Sequence, residues 1–278
     1  MLTGELETTN LMELWHFRSS LHFVWAFLAI AFLASLVPAA YSDSRRLQLD
    51  GTKQTVFVEF PLRGEWMAPN TPGSKVPSHG TDQLGERYAF DFLQVDWSRI
   101  GRPFYNVSAL RYFVFGVPLD GCYCWGKEIH APFDGLVVEA RDGLKERPIV
   151  HVATDLSYAL RVTKELDLEK DGFRAVAGNY VILKKIDGLY AALVHLQCGS
   201  VAVSKGQHVK KGDVLGKVGH SGNSTAPHLH FQLMDSIDLH IAKGVPCGFE
   251  KYEVWENNGW KTIYNGIPTN KQRFRYVE

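Results

Sequence analysis

Two histidines one residue apart, His228 and His230, stand inside the run APHLHFQL at 226–233. Along a strand, successive side chains point to opposite faces, so the two imidazoles share one face, roughly 6–7 Å apart, while Leu229 and Phe231 face the other way, into a core. Imidazoles that close can serve one metal centre, one as a ligand and its neighbour acting on solvent beside the metal. Further candidates lie at the ends or faces of strand-like runs: His79 in PSHGTDQ, Asp91 in RYAFDFL and His195 in ALVHLQC. Asp91 is flanked by Ala89, Phe90 and Phe92, a costly place for a carboxylate unless something cationic compensates it. Two histidines and one aspartate with a fourth position open is the donor set of a catalytic zinc, whereas a structural zinc is closed by four protein ligands. The chain has no H-E-x-x-H motif, hence no helix-borne glutamate to act as the base.

The elements that must position these residues are short strands. Runs rich in β-branched and aromatic residues occur at 55–60, 88–95, 110–117, 135–140, 149–154, 158–163, 179–185, 189–196, 214–219 and 228–234, separated by Gly, Asp, Asn and Pro turns. KIDGLY at 185–190 is a hairpin signal, and KYEVWENNGWKTIYNG at 251–266 predicts a last hairpin. No long helical period follows the N-terminal segment. The fold expected is mostly β: an antiparallel β-sandwich or open barrel in one domain, residues 56–278, preceded by one N-terminal hydrophobic helix. The charged stretch 162–176 reads as a solvated insertion, with a substrate-facing flap as the alternative.

The segments HGTDQLGERYAFDF, GNYVILKK and LVHLQCGSVAVSKGQHVKKGDVLGKVGHSGNSTAPHLHFQL together resemble the M23 family of zinc metallopeptidases, the LytM or lysostaphin-type endopeptidases, over residues 60–234. The resemblance implies a Zn2+ cofactor held by His79, Asp91 and His230, with His195 and His228 as catalytic histidines that are not ligands. It also implies Asn179 as a substrate-binding residue near the groove, although a turn asparagine explains that position as well. The common family pattern has a shorter spacer between the first His and the Asp, so Asp82 in HGTD competes with Asp91 for the third ligand. The activity implied is hydrolysis of peptide bonds in bacterial cell-wall peptidoglycan, with peptidoglycan peptides as partner. Two rivals come from other classes: a catalytically silent binding or regulatory protein of the same fold, and a biotinyl- or lipoyl-like carrier suggested by GQHVKKGDVLGKVG, which lacks a lysine in the expected hairpin.

Composition bounds the rest. Thirty basic residues balance thirty acidic ones in 278 residues, so no global field favours nucleic acid. Residues 23–40 carry no charge and reach the length of a membrane-crossing helix. They are expected to form a signal-anchor or signal-peptide helix (23–41) after an N-terminal segment (1–22) and before a polar linker (42–55). Arg45, Arg46 and Lys53 follow that stretch, a bias toward a cytoplasmic C-terminal side. A cell-wall substrate requires the opposite, so the expected location is extracytoplasmic, anchored to the membrane or secreted. Cys122, Cys124, Cys198 and Cys247 fit either disulfides or buried thiols. His220 in VGHSGNS reads as a surface-loop residue, and Trp66 as a core cap rather than a cleft residue.

Overall fold

The computed structural model describes residues 54–278 apart from 166, 168, 169 and 171. The expected N-terminal segment, apolar helix and nearly all of the linker therefore lie outside the described residues. Among the described residues no helix is long and apolar enough to cross a membrane.

The expected mostly β architecture is present. Its strands are β1 (Val56–Val58), β2 (Glu65–Asn70), β3 (Phe90–Leu93), β4 (Val117–Pro118), β5 (Glu128–His130), β6 (Gly135–Arg141), β7 (Ile149–Val150), β8 (Asn179–Lys185), β9 (Tyr190–Leu196), β10 (His208–Val209), β11 (Val214–Lys217), β12 (Leu229–Met234), β13 (Cys247–Glu256), β14 (Gly259–Gly266) and β15 (Phe274–Arg275). An 11-stranded sheet runs β1-β13-β15-β2-β3-β12-β9-β8-β6-β10, with β14 on the outer side of β13, while β5–β11 and β4–β7 form small two-stranded sheets. The pairings of the large sheet are antiparallel except β1 with β13.

Strand alternation divides the side chains of the central strands. Phe90 and Phe92 of β3, Leu229, Phe231 and Leu233 of β12, Ala191 and Leu193 of β9 and Val181 and Leu183 of β8 all enter one core, together with Phe249 of β13, Phe274 of β15 and Leu215 of β11. For residues from both ends of so long a sheet to share a core, the sheet must curl over it. Aromatic edges fill the centre: the Phe92 ring lies 5.1 Å from Phe60, 5.4 Å from Phe90 and 5.8 Å from Phe249. Trp66 belongs to this core too, fully buried, with its indole N–H on the Arg63 carbonyl at 2.8 Å. The other face of the same strands carries Tyr180, Ile182, Ala192, Val194 and Met234 in a smaller cluster, and beside it the polar residues described below.

Two of the runs expected to be strands are helical, and a third is helical in part. Residues 110–117 lie largely in α1 (Ala109–Phe115), where the Ser108 hydroxyl accepts from the Arg111 N–H at the N-terminus and Gly116, at φ 72, ends the helix. Of its residues only Tyr112 is buried, packed against Tyr105 with ring centroids 4.3 Å apart. Residues 149–154 start as β7 but turn into α2 (Val152–Glu165), which also takes in 158–163. A long helix therefore does follow the N-terminal segment, and of the charged stretch 162–176 its last turn and the short α3 (Arg174–Ala177) are helical. The expected hairpin at 251–266 is β13–β14, with Asn257 and Asn258 at φ 51 and 62 between the paired Glu256 and Gly259, the two-residue turn whose twist suits a hairpin. All four cysteines are free, and Cys122, Cys124 and Cys247 are buried.

Because Phe92 stacks on Phe90 and packs against the rings of Phe60, Phe249 and Phe274, Phe92→Ala should cost about 3–5 kcal/mol, read as a lowered denaturant midpoint with the slope of the transition unchanged.

Candidate metal centre and active site

Four adjacent strands bring the polar residues to one level. β2 sets Asn70 opposite Asp91, and β12 sets His230 opposite Asp91 and Val194 on its other side. Phe90 and Phe92 anchor β3 in the core, so alternation forces Asp91 onto the opposite face, buried against the histidines. Its Oδ2 accepts from Asn70 Nδ2 at 2.7 Å and lies 2.9 Å from His79 Nε2; its Oδ1 lies 3.0 Å from His230 Nδ1 and 3.4 Å from His228 Nε2. Burial alone would push the carboxyl pKa up, yet the neighbouring His228 and His79 hold it well below the usual carboxylate range.

The structure thus brings together His79, Asp91 and His230, whose ligand-type atoms all lie within 4.8 Å of one another. Ligand bonds of about 2.0–2.1 Å put neighbouring donor atoms roughly 3.3 Å apart around a tetrahedral zinc, so the observed spacings need only a small adjustment to take an ion. The rings are already aimed. Gln232 donates its amide N–H to the Leu84 carbonyl at 2.7 Å, which turns its oxygen toward His230 Nε2 at 2.9 Å. That oxygen only accepts, so Nε2 carries a proton and Nδ1 is the atom turned to Asp91. His79 has Nδ1 on the Ser78 hydroxyl at 3.0 Å, leaving Nε2 for the centre. Partners of this kind are what fix imidazole ligands around metals. Asp82, the rival third ligand, is instead exposed and ion-paired with Arg87 at 2.7 Å, and it is outside the cluster.

His195 and His228 stand next to this centre. The ladder between β8 and β9 pairs Asn179 with Leu196 and Tyr180 with Val194, which leaves His195 as the extra residue of a bulge. Its φ of 65 is left-handed, a conformation that costs on the order of 1 kcal/mol or more outside glycine. The bulge returns Leu196 to the main core and re-aims His195 toward the site, its ring centroid 4.7 Å from His228 and 6.1 Å from His230. His195 Nδ1 faces the Ser221 carbonyl at 2.9 Å and His228 Nδ1 the Ala226 carbonyl at 2.7 Å. Carbonyls only accept, so both rings carry a proton on Nδ1. Burial, then the neighbouring His228 and His230, hold the His195 pKa well below its usual value, so that ring is neutral.

Asn179 is spent on the backbone. Its amide donates to the carbonyls of Leu144 and Leu196 at 2.9 and 3.1 Å, its oxygen accepts from the Leu144 N–H at 2.8 Å, and it is fully buried. Both amide hydrogens are used, so the side chain clamps a loop to the end of β9 and has no donor left for a ligand. The expected surface residue His220 is also fully buried. It belongs to a second polar cluster with Arg147, Asp155 and Ser224. Asn70, Ser78, Gln232 and Ser224 were not anticipated either. Gln232 alone had a signal in sequence, since it shares the strand face of His228 and His230.

The sequence profile of peptidase family M23 matches residues 119–239, a span that contains His195, His228 and His230 but begins after His79 and Asp91. Glycyl-glycine endopeptidase ALE-1 of Staphylococcus capitis is 36% identical over 96 residues, 34% of this chain and 26% of that protein. Peptidoglycan DD-endopeptidase ShyA of Vibrio cholerae is 38% identical over 78 residues, 28% of this chain and 16% of that protein. The chain thus matches about a quarter or less of the length of these relatives. The solved catalytic domain of lysostaphin from Staphylococcus simulans aligns with 51% of this chain and 85% of its own at 24% identity, with a TM-score of 0.29, a likeness on which no argument rests.

Without a metal, His230 has acceptors on both ring nitrogens. Burial pushes its pKa down, but the contact with Asp91 outweighs this and raises it to about 9. A ligand nitrogen must shed its proton, so metal uptake by metal-free protein below pH 9 should release a proton from His230 and tighten as pH rises toward that value. Calorimetric titration in buffers of different ionisation enthalpy reads the released proton, and a proton count of zero at pH 7 would contradict a charged His230 in the metal-free protein.

Proposed function

We propose that the protein is a zinc-dependent endopeptidase that hydrolyses peptide bonds in bacterial cell-wall peptidoglycan, a reading supported by the match of residues 119–239 to peptidase family M23. The observation that carries this reading is the meeting of His79, Asp91 and His230 from three distant segments within 4.8 Å, with two further imidazoles beside them. The activities for which these relatives are named, glycyl-glycine endopeptidase and peptidoglycan DD-endopeptidase, support the substrate class.

In this reading His79 Nε2, an Asp91 oxygen and His230 Nδ1 hold the ion. When bound, zinc polarises the scissile carbonyl and lowers the pKa of water to about 7. The protein supplies the remaining groups. His228, with Nδ1 fixed on the Ala226 carbonyl, presents the lone pair of Nε2 to the site, 3.4 Å from the Asp91 carboxylate. His228 is therefore the general base, and the proton it takes is available to the departing amine. His195 stays neutral, held by the Ser221 carbonyl, and orients the attacking solvent. With no glutamate base in the sequence motif sense, these two imidazoles carry the proton transfers. A silent binding protein of the same fold would not need all five of these positions filled. The proposed location is extracytoplasmic, anchored or secreted, as this substrate demands.

Two variants separate the roles. His230→Ala should abolish stoichiometric zinc, measured on purified protein, whereas His195→Ala should keep the metal and lose turnover of purified peptidoglycan by roughly 10²–10⁴-fold. Stoichiometric zinc in His230→Ala, or chelator-insensitive hydrolysis by the unmodified protein, would contradict the proposal.

A further inference from the structure

Behind His228, on the side away from the metal cluster, lies a buried polar assembly that the proposed reaction does not use. Asp155 and His220 are both fully buried, as is Ser224. Asp155 comes from α2, Arg147 from the loop before β7, and His220 and Ser224 from the loop that leads into β12. A carboxylate and a histidine placed far from solvent are expensive unless every group is satisfied, so their hydrogen bonds, including those to the half-buried Arg147, define what the assembly holds in place.

The donors give the chain a direction. Arg147 can only donate: its Nε reaches Asp155 Oδ1 at 2.6 Å, Nη1 the Gly222 carbonyl at 3.2 Å, and Nη2 both the Ser224 carbonyl and His220 Nε2, the latter at 3.0 Å. His220 Nε2 is therefore an acceptor, and its proton sits on Nδ1, 3.0 Å from the Ser224 hydroxyl. That hydroxyl accepts from His220 and has its own hydrogen free for the Ala226 carbonyl at 2.7 Å. The same carbonyl receives the His228 Nδ1–H at 2.7 Å, with Ser224 Oγ 3.3 Å from that nitrogen. Burial, opposed by Asp155 and aided by the Arg147 charge, keeps the His220 pKa below its usual value, in accord with a neutral ring.

The assembly is braced from outside. The Arg147 guanidinium lies 4.2 Å from the centre of the Tyr158 ring, also on α2. Asp155 Oδ2 caps the start of that helix through the His151 N–H at 2.7 Å. Glu146, next to Arg147, accepts from the His220 N–H at 2.7 Å and from the Trp125 indole at 2.9 Å.

We propose that His220, fixed by Arg147 and Asp155 of the helical segment around α2, is a positioning residue that acts through Ser224 and the Ala226 carbonyl to hold His228 as the Nδ1–H form with Nε2 turned to the reaction centre. The inference rests on the proposed peptidase reading for its consequence, but its geometry stands apart from the metal ligands. Without His220 the Ser224 hydroxyl can turn its hydrogen to His228 Nδ1, which competes with the Ala226 carbonyl for that nitrogen and favours the other tautomer.

The test uses the full chain with its metal, labelled with 15N-histidine, and reads the His228 ring by long-range proton–nitrogen correlation. His220→Leu should weaken or abolish the His228 Nδ1–H signal and lower kcat on cross-linked muropeptides by about 10–100-fold with KM little changed and metal content intact, and adding Ser224→Ala to it, which removes the competing hydroxyl, should bring the signal back. His220→Asn, whose amide places a donor where Nδ1 stood, should restore both. If His220→Leu does not fold, His220→Phe, which keeps a planar ring but has no donor, carries the test. An unaltered His228 signal in His220→Leu or His220→Phe, or loss of metal together with the signal, would overturn the inference. A tautomer change in a protein that hydrolyses no muropeptide would leave it standing and defeat the peptidase reading instead.

Discussion

A carboxylate on the buried face of a central strand sets the terms for the rest of this structure. Asp91 has phenylalanines before and after it, and both must enter the core, so the chain cannot turn Asp91 toward bulk water without turning two large rings out of the core. Burying a charge without partners would cost several kcal/mol. Every neighbour at its level is accordingly an amide donor or an imidazole: Asn70, His79, His228 and His230. A polar cluster of this composition, set against an otherwise apolar sheet, is the environment in which a divalent cation completes the charge balance.

From that constraint the geometry of the candidate site follows by register. Pairing His230 with Asp91 fixes the height of β12, and pairing Val194 with His230 fixes β9, so the bulge at His195 falls where its ring can reach the same cluster. The loop after β11 then crosses close over the start of β8. Gly178 and Gly222 pass so near each other that a Cβ on either would come within 2.4 Å of the opposing backbone, and both have positive φ. The close crossing delivers the Ser221 carbonyl to His195 and the Ser224–Ala226 turn to His228. The site is therefore assembled from sheet register on one side and a pinned loop on the other.

How much of this was readable beforehand depends on where each signal resides. The alternation of Leu229, His230, Phe231, Gln232 and Leu233 is local, and it disclosed both the strand and the face of the histidines. Asp91 betrayed itself by its apolar neighbours, while Asp82 looked equivalent only until its ion pair with Arg87 was seen. Residues 110–117 and 158–163 misled because aromatic and β-branched residues there do not report a core: Leu110 and Phe115 are largely exposed, and α2 buries only Asp155. Capping by Ser108 decides α1, an interaction that composition does not reveal. His220 was illegible for another reason. Its partners Arg147 and Asp155 lie 73 and 65 positions away, so a histidine in a glycine-rich loop gave no sign of being buried. The commitment of the Asn179 amide to the Leu144 and Leu196 carbonyls was equally hidden, since those partners lie 35 and 17 positions away.

The central claim is that two imidazole nitrogens and one carboxylate oxygen from His79, His230 and Asp91 hold a single zinc. X-ray absorption at the zinc edge of the purified full-length protein tests it most directly. The account predicts one equivalent of zinc with only nitrogen and oxygen neighbours at about 2.0–2.1 Å, two of them imidazoles. Sulfur neighbours at about 2.3 Å, which would point to the free cysteines, or a spectrum showing no imidazole at all, would contradict it.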